Sequence, residues 1–218
     1  MTTHTEETKS YGFIWLIPFA IILFILFSSI TTLPTLSTAW LGIASGTAVW
    51  NLTRASGIVG YFLLATSTIW GLLLSTKLIK TSVPPAVALA LHNYLSWTAI
   101  GLSILHAGLL LFDNYFSFQP WHLIIPFTGP YAPFWVGLGI LGFYLMGLTS
   151  VSFYARKRIG QKQWRKLHYL TFVAFAFVTA HGWMAGTDSV QLAVMYGAST
   201  LSVIFLTTFR ILTAITGK

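Results

Sequence analysis

The sequence predicts an all-α integral membrane protein, a bundle of six transmembrane helices. Three observations carry this. Of 218 residues, 56% are hydrophobic and 7% are charged, with a mean hydropathy of +0.76, whereas a soluble domain carries about 25% charged residues. There is too little charge to solvate a surface, so most of the outside must meet lipid. Apolar runs of spanning length recur at about 12–33, 56–76, 86–112, 133–154, 167–186 and 190–212, near the ~20 residues a membrane helix needs. Finally, the basic residues fall on one side of the bundle those runs define.

Taken in order, residues 1–11 form a polar tail that contains His4. The apolar run that follows exceeds the ~7–15 residues of a signal-peptide core, so 12–33 reads as a retained first span. An outer loop, 34–55, leads into a helix bundle over 56–212, and 213–218 form a second tail. Pro84 and Pro85 suit the start of the third span, because proline is tolerated in a helix's first turn. Trp50, Trp121, Trp135 and Trp164 lie near expected helix ends, as interfacial aromatics do. The outer segments 34–55 and 113–132, rich in Pro, Gly, Trp and Tyr, are expected to cap the outer face. No internal repeat and no low-complexity linker is evident.

Charge sets the orientation. With both termini in the cytoplasm, the inside holds Lys9, Lys77, Lys80, Arg210, Lys218 and the cluster Arg156, Lys157, Arg158, Lys162, Arg165 and Lys166. The outside holds Arg54 alone among basic residues, with Asp113 and Asp188. This is the positive-inside pattern, and it places the chain as a multi-pass protein of the cell membrane. The net charge of +8 is thereby a topology signal, and nucleic acid is not an expected partner.

Four histidines sit inside the apolar runs. His92 and His106 are 14 residues apart on the third span, and His168 and His181 are 13 apart on the fifth. Each step covers about 20 Å of helix. The third and fifth spans run parallel, which pairs His92 with His168 at the inner end and His106 with His181 at the outer end. Ionisable residues within a bilayer are expensive and mark function. Two pairs at matched depths suit the axial ligands of two stacked haem irons, making the bundle a transmembrane electron path. With zero cysteines, disulfides, thiolate-bound clusters and covalent haem attachment are all excluded. One detail resists an ideal helix. A 14-residue step returns within roughly 40° of the same face, but a 13-residue step lands roughly 140° away. A local distortion, of 3₁₀ or π type, is therefore expected in the fifth span.

This pattern resembles the ferric reductase-like transmembrane domain family, shared by ferric reductases and NADPH oxidases. The resemblance runs over about 50–212, through "RASGIVGYFLLATSTIWGLLLSTK" (54–77), "LHNYLSWTAIGLSILHA" (91–107) and "WRKLHYLTFVAFAFVTAHGWMAGTDS" (164–189). It implies two non-covalent b-type haems with His92, His106, His168 and His181 as iron ligands, and one-electron transfer to an acceptor on the outer side. The larger members carry a C-terminal FAD- and NADPH-binding dehydrogenase that is not seen after the last span. The expected donor is therefore a separate cytosolic flavin- and NAD(P)H-dependent reductase, docking near 155–166. The chain is also similar to the haem-bearing membrane subunit of the bacterial methionine sulfoxide reductase system. On that alternative, electrons pass to a separate extracytoplasmic reductase. A non-redox transporter or channel, with histidines relaying protons, is the alternative of another class.

Other residues are placed around this scheme. Arg54 is a candidate partner for outer haem propionates or an interfacial anchor. Arg165 and Lys166 are candidates at the inner haem, besides setting topology and docking. His122 reads as a structural loop histidine, with metal or acceptor binding as its sharper alternative. Asp113 and Asp188 read as loop solvators. Gly137-Leu-Gly139-Ile-Leu-Gly142 matches a dinucleotide fingerprint letter for letter. It lies in an apolar span, follows no strand, and has Lys162 where an acidic ribose ligand belongs. It reads as helix-packing glycine, as does Gly42-x-x-x-Gly46, and no flavin or nicotinamide site is expected in this chain.

Overall fold

A computed structural model describes residues 47–76, 83–113 and 115–215. Among these residues the only regular structure is helical. In chain order the helices are α1 (Thr47–Thr76), α2 (Pro85–Leu109), α3 (Pro133–Ile159), α4 (Gln161–His168), α5 (Leu170–Ala185) and α6 (Ala193–Ile215). Short 3₁₀ turns at Leu110–Phe112 and Pro120–Leu123 lie between α2 and α3. Four of the helices, α1, α2 (counted with its 3₁₀ extension), α3 and α6, are long and apolar enough to cross a membrane. That is the make-up of a multi-pass membrane protein. The expected first span, the 1–11 tail, residues 34–46 with Gly42 and Gly46, Lys77, Lys80 and residues 216–218 lie outside the described residues.

Several boundaries differ from the expectation. Residues 47–55 are helical, not loop, so Arg54 stands two turns inside α1. The fourth span runs on to Ile159, which puts Arg156, Lys157 and Arg158 in its last turn, where cations offset the helix dipole. It stops at Gly160, whose φ of 83° is a conformation that glycine adopts at little cost. α6 continues to Ile215.

The fifth span is the largest departure. The apolar run is split at Tyr169 into a polar α4 and an apolar α5 of 16 residues. At ~1.5 Å per residue α5 alone is about 24 Å long, short of the ~30 Å hydrocarbon core. The join is overwound. The Tyr169 N–H donates to both Arg165 O (3.2 Å) and Lys166 O (3.3 Å), and the Phe172 N–H donates to Tyr169 O at 3.1 Å. Bonds spanning three residues are 3₁₀ geometry, so a local irregularity lies immediately after His168, within the 13-residue histidine step.

From Val49 onward the chain forms one compact unit. Its core is thin, built around Tyr61, Leu64, Ala99, Ile100, Met146 and Phe175. Large apolar side chains such as Phe62, Ile104, Val151, Leu201 and Phe205 are exposed on the helix flanks. In water such flanks would drive association; in lipid they are the solvent-facing surface. Small residues bring the helices close. A Cβ on Gly142 would meet Val178 and the Ala174 carbonyl, and one on Gly60 would meet Leu102 and the Ala99 carbonyl. Gly137 of the same glycine run receives Phe127, so these glycines serve packing. Residues 115–132 fold against the bundle: Phe118 is buried, and the Tyr131 hydroxyl donates to the Ala185 carbonyl at 3.0 Å.

Candidate functional site

α2 carries His92 and His106, and the α4–α5 segment brings a histidine opposite each. The ring centroids of His92 and His168 are 6.2 Å apart with an interplanar angle of 79°. Those of His106 and His181 are 6.1 Å apart at 74°. The two levels are separated by about 21 Å along α2, given ~1.5 Å per residue.

Three of the imidazoles are anchored in the same way. His106 Nδ1 lies 2.7 Å from the Thr53 carbonyl, His181 Nδ1 lies 3.1 Å from the Trp135 carbonyl, and His92 Nδ1 lies 3.1 Å from the Ser67 carbonyl. A carbonyl only accepts, so each Nδ1 carries the proton and each Nε2 is left with a free lone pair. Four residues beyond each carbonyl stands a glycine. A Cβ would fall 2.8 Å from His106 Nδ1 at Gly57, 2.8 Å from His181 Cγ at Gly139 and 3.1 Å from His92 Cε1 at Gly71. In a helix the carbonyl of residue i points at residue i+4. Removing the side chain there opens the second lone pair of that carbonyl to an incoming ring.

The cradle is therefore a carbonyl at i and a glycine at i+4. It occurs at Thr53/Gly57 and Ser67/Gly71 on α1, and at Trp135/Gly139 on α3. The two copies on α1 are 14 residues apart, the same step as His92 to His106 on α2. This short repeat is visible in the sequence as Thr53-x-x-x-Gly57 and Ser67-x-x-x-Gly71, but it is too brief to stand out without the histidines lying on it. Ser67 adds a side-chain contact: its Oγ is 3.1 Å from His92 Nδ1 and 2.8 Å from Ser96 Oγ.

His168 differs. Its Nδ1 and the Nε1 of Trp164 are buried without a hydrogen-bond partner. Trp164 stacks on the His168 ring at 5.1 Å and 25° and meets Phe153 edge-on. Sequence reasoning placed Trp164 at the interface and missed this role; the i, i+4 spacing of Trp164 and His168 on a helix was the available signal.

The two levels also differ in space. A cavity of about 430 Å³ lies at His106 and His181, walled in part by Tyr61, Tyr196 and Phe143 and reaching Arg54 and His122. Beside His92 and His168 the pocket is about 60 Å³, with Thr149, Phe153 and Trp164 in its wall. Arg54 is paired with Asp188, its Nε donating to Oδ2 at 2.7 Å and its Nη2 to Oδ1. It also lies over the Trp50 ring. Asp188 is thus an ion-pair partner rather than a loop solvator. Arg165 and Lys166 are exposed on α4, outside the wall of the smaller pocket. His122 accepts a hydrogen bond at Nδ1 from the Gln119 N–H, 3.0 Å, the opposite tautomer to the three cradled histidines. Asp113 accepts from the Tyr115 N–H at 2.7 Å.

Comparison with protein-family models, with curated proteins and with solved structures found no match to this chain.

Proposed function

We propose that this protein carries electrons across a membrane through two b-type haems, one held by His92 and His168 and the other by His106 and His181. The observation that carries this reading is the separation of the facing rings, 6.2 and 6.1 Å between centroids. Two metal–nitrogen bonds of about 2.0–2.1 Å between facing imidazoles would set the ring centres about 6 Å apart, close to both values. Three of the four imidazoles already have Nδ1 donating to a carbonyl, the outer support that fixes a metal-binding histidine's tautomer and leaves Nε2 free to ligate.

The donor set favours haem over a bare cation. Among the described residues no group of three or more His, Cys, Asp and Glu side chains is gathered that could hold a metal ion. Two imidazoles alone would leave a cation under-ligated, whereas a porphyrin brings the equatorial nitrogens itself. The 430 Å³ cavity at His106 and His181 lies within the ~300–1,000 Å³ of ligand pockets, whereas the 60 Å³ pocket at His92 and His168 lies well below it, so at that level the reading rests on the paired imidazoles. Arg54 and His122 lie on the polar rim of the larger cavity beside Asp113 and Asp188, and a propionate there would compete with Asp188 for Arg54.

Haem bound here would supply one-electron redox chemistry. With two histidines committed to each group, these residues would hold and insulate it rather than activate a reactant. The apolar walls keep water from the rings, and the cradles fix ring orientation. On this reading electrons enter from a cytosolic flavin-type donor near 155–166, where the basic residues gather, and leave at the end capped by 115–132. A ferric reductase-like activity is the preferred outcome, with delivery to a separate outer reductase as its variant.

A dithionite-reduced minus oxidised spectrum with quantified haem tests this, for wild type and each His→Ala variant at 92, 106, 168 and 181. Two low-spin b-type haems per chain are expected, with loss at the substituted level in each variant. A colourless protein after haem-supplemented expression overturns the proposal.

A further inference from the structure

Resting on the haem reading, we infer that the two levels are unequal binding sites and that Phe153 makes them so. The cradle that anchors His181 on α3 is the Trp135 carbonyl with Gly139. One 14-residue step further along α3, the equivalent positions are Thr149 and Phe153. Both wall the pocket at His168, so the register is kept while the glycine is replaced by a bulky ring. Two independent features agree with that replacement. His168 Nδ1 is buried without an acceptor, and the pocket is about 60 Å³ against about 430 Å³ at the other level.

Phe153 therefore acts as a positioning residue with two effects of the same sign. The Thr149 carbonyl accepts from the Ser152 hydroxyl at 2.7 Å, and the bulky Phe153 side chain stands where Gly139 lets His181 reach the Trp135 carbonyl; it also takes up room in the pocket that a porphyrin would need. Trp164, stacked on His168, is the ring's remaining support. Loss of an outer hydrogen bond to a metal-bound histidine typically costs ~10–100-fold in affinity. The His92/His168 level holds its haem more weakly and releases it first. An imidazole without that hydrogen bond is also a poorer donor to ferric iron, so this level is reduced at the higher potential.

The test is haem release from the full chain in detergent to an excess of apomyoglobin, together with a spectroscopic redox titration. Wild type should release haem in two phases at least 10-fold apart. His92→Ala should lack the fast phase and His106→Ala the slow one. Phe153→Gly should slow the fast phase toward the slow one and lower the midpoint of that level. Phe153→Ala, which keeps the helix but not the open carbonyl, should slow release with a smaller change in midpoint. A single phase in wild type, or a fast phase that survives His92→Ala, overturns the inference and leaves the haem reading standing. So does an unchanged fast phase in a folded Phe153→Gly protein. Absence of haem from wild type overturns both.

Discussion

A glycine four residues after a carbonyl decides whether an imidazole can lie flat on a neighbouring helix. Gly57 and Gly139 leave no room for a methyl group, since a Cβ would stand 2.8 Å from the ring atoms of His106 and His181. Gly71 is more tolerant at 3.1 Å from His92. Gly57→Ala and Gly139→Ala should each displace an imidazole, with overpacking costing about 1–3 kcal/mol and, on the proposed function, haem lost from the His106/His181 level alone. Gly71→Ala should keep most of its haem. Haem per chain and the thermal midpoint in detergent measure both effects, and a wild-type spectrum with two haems in Gly139→Ala would contradict the cradle. The histidines themselves were legible in the sequence because ionisable residues in apolar runs stand out. Their glycine and carbonyl partners were not, since a glycine in a membrane helix reads as generic packing and a carbonyl has no letter of its own.

At the scale of the element, the turn at Tyr169 breaks the helix within the 13-residue step between two histidines that each lie opposite a partner on α2. Periodicity alone exposed the misfit, because 13 residues on an ideal helix put His181 on the wrong face. The place of the break was not legible, since His168-Tyr169-Leu170 contains neither proline nor glycine. Inserting one alanine between Leu170 and Thr171 should rotate α5 by about 100° and carry His181 off Gly139, while His168 stays opposite His92. Loss of the outer haem with retention of the inner one is expected in the reduced-minus-oxidised spectrum. Retention of both would show that the join absorbs the extra residue and that its register is not decisive. The Arg54–Asp188 pair ties α1 to the turn after α5, a contact no sequence pattern announced across 134 residues. Its side chains are 38% and 21% exposed, so solvent screens it, and its coupling should be about 1 kcal/mol or less. A double-mutant cycle of Arg54→Ala and Asp188→Ala in thermal melts should show that coupling shrinking as salt rises. Indifference to salt would argue against an electrostatic latch.

At the scale of the whole molecule, composition was enough to read a helical membrane bundle, and four of the apolar runs are helices of spanning length. The fifth run, 167–186, is taken up by the end of α4 and the 16-residue α5, which meet at Tyr169, so neither helix alone has spanning length. Orientation rests on charge alone, and it makes a prediction of its own. α3 joins the two ends: Pro133 adjoins the cap over 115–132 and Ile159 adjoins the basic α4, 27 residues away or about 40 Å. If lysine and arginine set topology, α4 faces the cytoplasm and the cap faces outward. The chain has no cysteine, so single substitutions report without background, and Ser117 and Lys162 are both exposed. In intact cells a membrane-impermeant maleimide should label Ser117→Cys, and should label Lys162→Cys only after permeabilisation. The reverse pattern would invert the proposed direction of electron flow while leaving the two histidine levels as they are. Labelling of both from the same side would mean that α3 does not cross the membrane, and a path for electrons through the bundle would lose its purpose.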